Sequence, residues 1–148
     1  MIKVFLAIIF LVCSLSGIDK LYFLPKDKDI VKDEIVNQLK NAKKSIIIAM
    51  YNFKYVKFAN ALALAAQNGV DVKVYYYKKR INFSKNIKAL KVRNKLHTKV
   101  ALIDDKTVIF GSANWTKESF KKNYEVIYIT DRDELVKEFI NFFSTIKR

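Results

Sequence analysis

Ser45 to Tyr51 (Ser-Ile-Ile-Ile-Ala-Met-Tyr) is an unbroken apolar run. Its length and lack of polar alternation are those of a strand buried inside a sheet. The elements around it set the fold. Leu21–Leu24 reads as a short strand ended by Pro25, and Asp29–Lys43 as a helix with Ile30, Val31, Ile35, Val36 and Leu39 near helical spacing. Val56–Asn68 reads as a helix rich in alanine and leucine, closed by Asn68-Gly69 as a C-terminal cap. Val70–Tyr77 is the next strand. Thr98–Ile103 and Thr107–Phe110 read as a hairpin around Asp104-Asp105-Lys106. A short helix at Trp115–Lys122, a strand at Tyr124–Ile129 and a last helix at Asp133–Ile146 complete the order, with Asp131 as the predicted cap of the last helix. Trp115 is expected in the core. The order predicts an α/β fold: a mixed β-sheet flanked by helices on both faces. No repeat, low-complexity tract or proline-rich linker interrupts it, so residues 17–148 read as a single domain.

Scarce residue types exclude several chemistries. The three glycines, Gly17, Gly69 and Gly111, are too far apart for a G-x-G-x-x-G loop, and no Walker-type phosphate loop is present. The single histidine excludes H-E-x-x-H and every zinc site that needs two imidazoles. The single cysteine excludes an intrachain disulfide and a cysteine cage. Neither a metal nor a cofactor is expected.

Charge points to the partner. Lys and Arg number 28 against 14 Asp and Glu, a net charge of +14, which favours a polyanion: nucleic acid, anionic lipid or acidic polysaccharide. Lysine, which binds phosphate as a point charge, outnumbers arginine severalfold. Val72–Ile103 holds ten cations and no carboxylate. Lys78, Lys79, Arg80, Lys85, Lys88, Lys91, Arg93 and Lys95 are the candidate nucleic-acid-binding residues. Tyr75, Tyr76, Tyr77 and Phe83 are interleaved with them, where aromatic rings stack on bases, although strand alternation turns part of the tyrosine run into the core.

The N-terminus reads as an address. Met1-Ile2-Lys3 is a positive start, Val4–Val12 an apolar run, and Ser14-x-Ser16 a small-residue cleavage site before Gly17. Residues 1–16 therefore read as a signal peptide, with an uncleaved membrane anchor as the competitor. The expected location is outside the cytoplasm: periplasmic, extracellular or membrane-associated. Cleavage also removes Cys13.

The chemistry concentrates around the lone histidine. In His97-Thr98-Lys99 an imidazole and an ammonium are two residues apart, so on a strand they share a face. A neutral ring nitrogen is a nucleophile, and a fixed cation holds a nonbridging phosphate oxygen. Asp104 follows, then Gly111-Ser112-Ala113-Asn114, where Gly111 lets the backbone approach a ligand and Ser112 and Asn114 add neutral donors. One histidine cannot be both nucleophile and acid for the leaving oxygen, and a two-fold axis would bring two together.

The joined pattern H-x-K-x4-D-x6-G-S-x-N resembles the phospholipase D superfamily, and Asn41–Tyr77 is similar to its single-motif bacterial endonucleases. The resemblance runs over residues 20–146 and implies a phospholipase D-like domain. It implies His97 as a nucleophile that forms a phosphohistidine, with the same residue of a second copy as acid in a homodimer. It implies Lys99, Ser112 and Asn114 as phosphate-binding groups. Asp104 is the motif's aspartate, counted with the catalytic set though its role looks structural, and Glu125 falls where a carboxylate orients the histidine. Lys78–Leu96 is shorter than the usual insert before the motif. The expected activity is a metal-independent endonuclease on DNA or RNA. The alternatives are a phospholipase D-type lipid phosphodiesterase, a membrane-anchored RNA endonuclease, and a non-catalytic nucleic-acid receptor, which would not need His97.

Overall fold

The computed structural model describes residues 17–147, so the predicted signal or anchor at 1–16 lies outside the described residues. The elements are β1 (Asp19–Leu24), α1 (Lys28–Asn41), β2 (Ser45–Phe53), α2 (Val56–Gln67), β3 (Asp71–Arg80), β4 (Lys88–Lys91), β5 (Lys99–Ile103), β6 (Thr107–Gly111), α3 (Lys117–Lys121), β7 (Glu125–Thr130) and α4 (Asp133–Ser144). They build one seven-stranded sheet in the order β1-β7-β6-β5-β2-β3-β4. β2, β3 and β4 run parallel, and the other neighbours are antiparallel. Among the described residues no helix is long and apolar enough to cross a membrane.

The central strand explains the layers. Ile46, Ile48 and Met50 of β2 enter a core with Val31, Ile35 and Leu39 of α1 and Phe58 and Leu62 of α2. Ala49, on the other face, joins Val100, Leu102 and Val108 under Val136 and Phe143 of α4. A strand apolar on both faces is thus covered on both, as the sequence predicts. Trp115 is buried in the first core, as expected. α2 ends as its sequence predicts: Gly69 takes φ +90°, Gly69 N–H bonds Ala66 O and Val70 N–H bonds Ala65 O. That pair of bonds is a Schellman cap, and the positive φ is why glycine stands there.

Three expectations change. β4 was not predicted: Lys88-Ala-Leu-Lys91 is a four-residue edge strand inside the basic stretch. α4 is not capped by Asp131. Arg132 is its N-cap residue, and the Asp131 carboxylate accepts the Ile18 N–H (2.7 Å) while its own N–H bonds Ile18 O (3.0 Å), tying the start of β1 to the end of β7. β3 runs on to Arg80 through an irregularity. Met50 pairs with Tyr76 and Asn52 with Lys79, so Tyr77 and Lys78 together oppose Tyr51. This is a β-bulge, which re-aims side chains that strict alternation would separate.

The β5–β6 turn is tied to the far end of the sheet. Asp104 and Asp105 both have positive φ (55° and 53°), and Lys106 N–H closes the turn on Ile103 O. The Asp104 carboxylate accepts backbone N–H bonds from Lys43 (2.8 Å), Lys44 (2.7 Å) and Ser45 (3.0 Å). It thereby holds the α1–β2 loop. Burial works to raise this carboxyl's pKa, but the N–H bonds from Ser45, Lys44 and Lys43 outweigh it and hold the value below the usual carboxylate range. A depressed carboxylate contributes stability that is complete above its unfolded value and lost as pH falls through the folded one. Asp104→Asn should cost on the order of 1–3 kcal/mol near neutral pH, toward the low end because the turn is half open to solvent. Urea unfolding should find the gap to wild type closing as pH falls below about 4. A gap that is constant with pH would mean the charge is not what holds the loop.

Candidate active site

β2, β3 and β6 end, and β5 and β7 begin, at one edge of the sheet. This edge gathers most of the predicted catalytic side chains. Lys99 is the first residue of β5 and is buried, 9% exposed. Its Nζ donates to His97 O (2.6 Å) and lies 3.1 Å from His97 Nδ1 and 3.5 Å from Nε2. His97 itself is exposed and precedes the strand rather than standing in it. The imidazole and ammonium converge outside the strand, where the Lys99 side chain reaches back to the His97 carbonyl.

The Tyr51 ring packs on the imidazole, with centroids 4.8 Å apart, and Lys99 Nζ lies 5.8 Å from the same ring. Sequence reasoning did not select Tyr51. Its signal was a Tyr-Asn pair ending an otherwise apolar strand at the sheet edge where β2 and β3 terminate. Asn52 was missed likewise: its N–H bonds Asn114 Oδ1 (3.0 Å). Two buried oxygens without hydrogen-bond partners among the described residues, Asn52 Oδ1 and Thr98 Oγ1, belong to residues flanking these groups.

Burial pushes the Lys99 ammonium below its ordinary pKa, opposed by the Glu125 charge. The Lys99 charge, then burial, then Lys95, pull the His97 imidazole below its ordinary value. The neutral ring therefore persists to lower pH than in a free imidazole.

Ser112 and Glu125 form a second pair. The Ser112 hydroxyl donates to Glu125 Oε2 and accepts the Val126 N–H (3.1 Å), while Asn123 Nδ2 donates to Glu125 Oε1 (3.1 Å). Both Glu125 oxygens are thus engaged by neighbours other than the His97 of the same chain. Asn114 spends its oxygen on β2, which leaves its Nδ2 amide as a donor. Gly111 is required by the sheet rather than by a ligand. A Cβ there would come within 2.0 Å of Val126 O, so only glycine lets β7 pass this close.

The remaining predicted residues divide. Asp104 lies at the opposite end of β5 and does not join the site. Lys78 sits 5.8 Å from the Tyr51 centroid, and Tyr77, Lys78, Lys91, Val92 and Arg93 line an open recess of about 560 Å³. Lys95 is near enough to His97 to depress it. Lys79 pairs in register with Asn52, and Arg80 lies over the Tyr76 ring at 5.1 Å and donates to Ile81 O. Lys88 is elsewhere. It bonds Asp71 (2.9 Å) at the start of β3, the far edge, because parallel pairing places the first residue of β4 beside Lys73. Lys85 is in the connection leading back to that edge.

This arrangement, an exposed imidazole on a buried ammonium with serine and asparagine donors beside it, sits on a recognised domain. The chain matches the family described as "Cardiolipin synthase, PLD-like domain" over residues 35–147. It belongs to the phospholipase D superfamily, a superfamily of phosphodiesterases. Among solved structures it is similar to NucT from Helicobacter pylori, with a TM-score of 0.78 and 28% identity over 88% of this chain and 95% of that one. It is also similar to Nuc from Salmonella typhimurium, a phospholipase D family member, with a TM-score of 0.73 and 25% identity over 86% and 92% of the two chains. Among curated proteins it is 29% identical to the mitochondrial cardiolipin hydrolase of Danio rerio over 117 residues, 71% of this chain and 52% of that protein. The chain spans about half the length of the cardiolipin hydrolases it matches.

The electrostatics of the pair can be tested by titrating the His97 ring by NMR. It should titrate below the free-histidine value of about 6.5, and Lys99→Met should move it upward. An unchanged midpoint in the variant would show that the ammonium is not the cause.

Proposed function

We propose that this protein is a metal-independent phosphodiesterase that hydrolyses DNA or RNA through a covalent phosphohistidine, at a site completed by two copies of the chain. The observation that carries the reading is the exposed His97 imidazole held 3.1 Å from the buried Lys99 ammonium. The neutral ring nitrogen attacks phosphorus, forming an N–P bond as a P–O bond breaks, and water then cleaves the N–P bond. Lys99 Nζ and Asn114 Nδ2 are donors for the nonbridging oxygens, where charge grows in the transition state. Ser112 joins them when its hydroxyl turns from Glu125. The imidazole is itself the nucleophile, so no metal-activated water is needed for the attack.

The leaving oxygen needs a proton, and the chain has one histidine. His97 of a second copy across a two-fold axis supplies it. Glu125, whose own His97 is not among its partners, is assigned to steady the imidazole of that second copy. Nucleic acid is favoured as substrate by the cations Lys78, Lys91, Arg93 and Lys95 around the site and by the likeness to NucT and Nuc over more than nine-tenths of their chains. The same reading includes export directed by residues 1–16, as signal peptide or anchor.

A second reading, a lipid phosphodiesterase, is favoured by one feature. A recess of about 250 Å³ beside Ser112 and Glu125 is walled by Phe23, Leu24, Tyr124 and Val126, and the curated relatives include cardiolipin hydrolases. Parallel incubation with single-stranded DNA, RNA, plasmid and cardiolipin vesicles, in excess EDTA, separates the two. Nucleic acid should be cut despite the chelator, with a steep salt dependence of log affinity, roughly −0.9 per neutralised phosphate on duplex DNA. Hydrolysis of the vesicles alone would favour the lipid reading, and activity lost to EDTA and restored by magnesium would overturn the mechanism.

His97→Ala should lose at least about 100-fold in turnover while still binding. Mixed with wild-type chains under free exchange, it should lower activity as the square of the wild-type fraction. A linear fall would show that each chain works alone.

A further inference from the structure

The bulge opposite Tyr51 builds something the hydrolytic step does not use. Because Tyr77 and Lys78 both oppose Tyr51, both reach its ring: Tyr77 stacks on it with centroids 5.8 Å apart and planes 20° from parallel, and Lys78 Nζ lies 5.8 Å from its centre. Tyr51 in turn packs on the His97 imidazole at 4.8 Å. Three rings therefore run in series from the nucleophile to the wall of the recess that Tyr77 lines with Lys78, Lys91, Val92 and Arg93.

The recess has a composition of its own. Its cations Lys78, Lys91 and Arg93 are exposed, and no carboxylate is among its lining residues. The other aromatic residues of the basic stretch are committed elsewhere. Tyr75 packs on Phe143, Tyr76 lies under the Arg80 guanidinium, and Phe83 meets the edge of Phe53 in the core. Tyr77 gives one face to Tyr51 and packs partly against the second core, and the rest of its ring lines the recess beside the cations. A ring, three cations and about 560 Å³ of open space suit one nucleotide: a flat base and an anionic backbone.

We propose that this recess is a subsite for one unpaired nucleotide next to the scissile phosphate, with its base on Tyr77 and its backbone against Lys78, Lys91 and Arg93. The proposal rests on the nuclease reading above and adds to it a substrate class. In a duplex both faces of each base are taken by neighbouring bases, so a side-chain ring can stack only on a base that has left the helix. The subsite therefore selects single strands. It acts on binding of the flanking nucleotide and not on the phosphoryl chemistry, which stays with His97 and Lys99.

The test is an abasic scan. Short single-stranded oligonucleotides carry a tetrahydrofuran abasic residue at each position in turn, and cleavage at each phosphate is read by gel. One position flanking the cut should slow wild-type cleavage about 10- to 100-fold, the range for loss of one base–aromatic stack. Tyr77→Leu should slow the unmodified strand by a similar factor and be indifferent to the abasic residue, whereas Tyr77→Phe should behave as wild type. A duplex of the same sequence should be cut more slowly than the strand.

A second measurement does not depend on how Tyr77→Leu folds. 2-Aminopurine at the sensitive position should lose fluorescence on binding to the His97→Ala protein. Equal cutting of natural and abasic strands by the wild type, or unaltered 2-aminopurine emission on binding, would overturn the subsite while leaving the nuclease reading intact. A wild-type protein that cuts no oligonucleotide but hydrolyses cardiolipin vesicles would overturn both.

Discussion

The Lys99 ammonium is buried at the start of a strand whose every other residue is also buried. An ammonium taken out of water needs acceptors close at hand. The neighbours supply the His97 carbonyl, the face of Tyr51 and the charge of Glu125, with His97 Nδ1 3.1 Å away. The same cation lowers the pKa of the imidazole and so favours its neutral form. One buried charge thus organises the position and the protonation of the group beside it.

The sheet delivers these groups by separating scaffold from chemistry within a single motif. His97, Lys99, Ser112 and Asn114 stand at the edge where β2, β3 and β6 end. Asp104 stands at the other edge and gives its carboxylate to three backbone N–H groups. Gly111 gives room for the Val126 carbonyl, and Asn114 fixes the end of β2 through Asn52. Asp104 and Gly111 thus serve the register of β5, β6 and β7, and that register places Lys99 opposite Met50 and Ser112 beside Val126.

What the sequence made legible follows from how local the determining physics was. β2 was readable because a strand covered on both faces must be apolar throughout, and the α2 cap because a left-handed residue after a helix calls for glycine. β4 was not, since Lys-Ala-Leu-Lys is a four-residue edge strand fixed by pairing with β3 rather than by its own pattern. Asp131 was read as a cap because the local spacing fits one, but the free N–H of Ile18, 113 positions away in sequence, takes its carboxylate. Lys88 was read with the other cations because they adjoin in sequence, while parallel pairing carries it to the far edge. Tyr51 was hidden for the opposite reason. It sits at the end of an apolar run, and its contact with His97 depends on where β5 enters the sheet.

The protomer's site is unbalanced in a way that bears on assembly. Its imidazole is exposed, its ammonium is buried beside that ring, and its nearby carboxylate is occupied by Ser112 and Asn123. A phosphodiester is already anionic, and attack moves further charge onto its nonbridging oxygens. In the mechanism proposed above, a single Lys99 and a single Asn114 amide would flank one side of such a phosphate. A second copy related by a two-fold axis would bring the same pair to the other side, and with it the second imidazole that the proposed mechanism gives the leaving oxygen. The transferring group would then be enclosed by two ammoniums and two amides without any change in the fold.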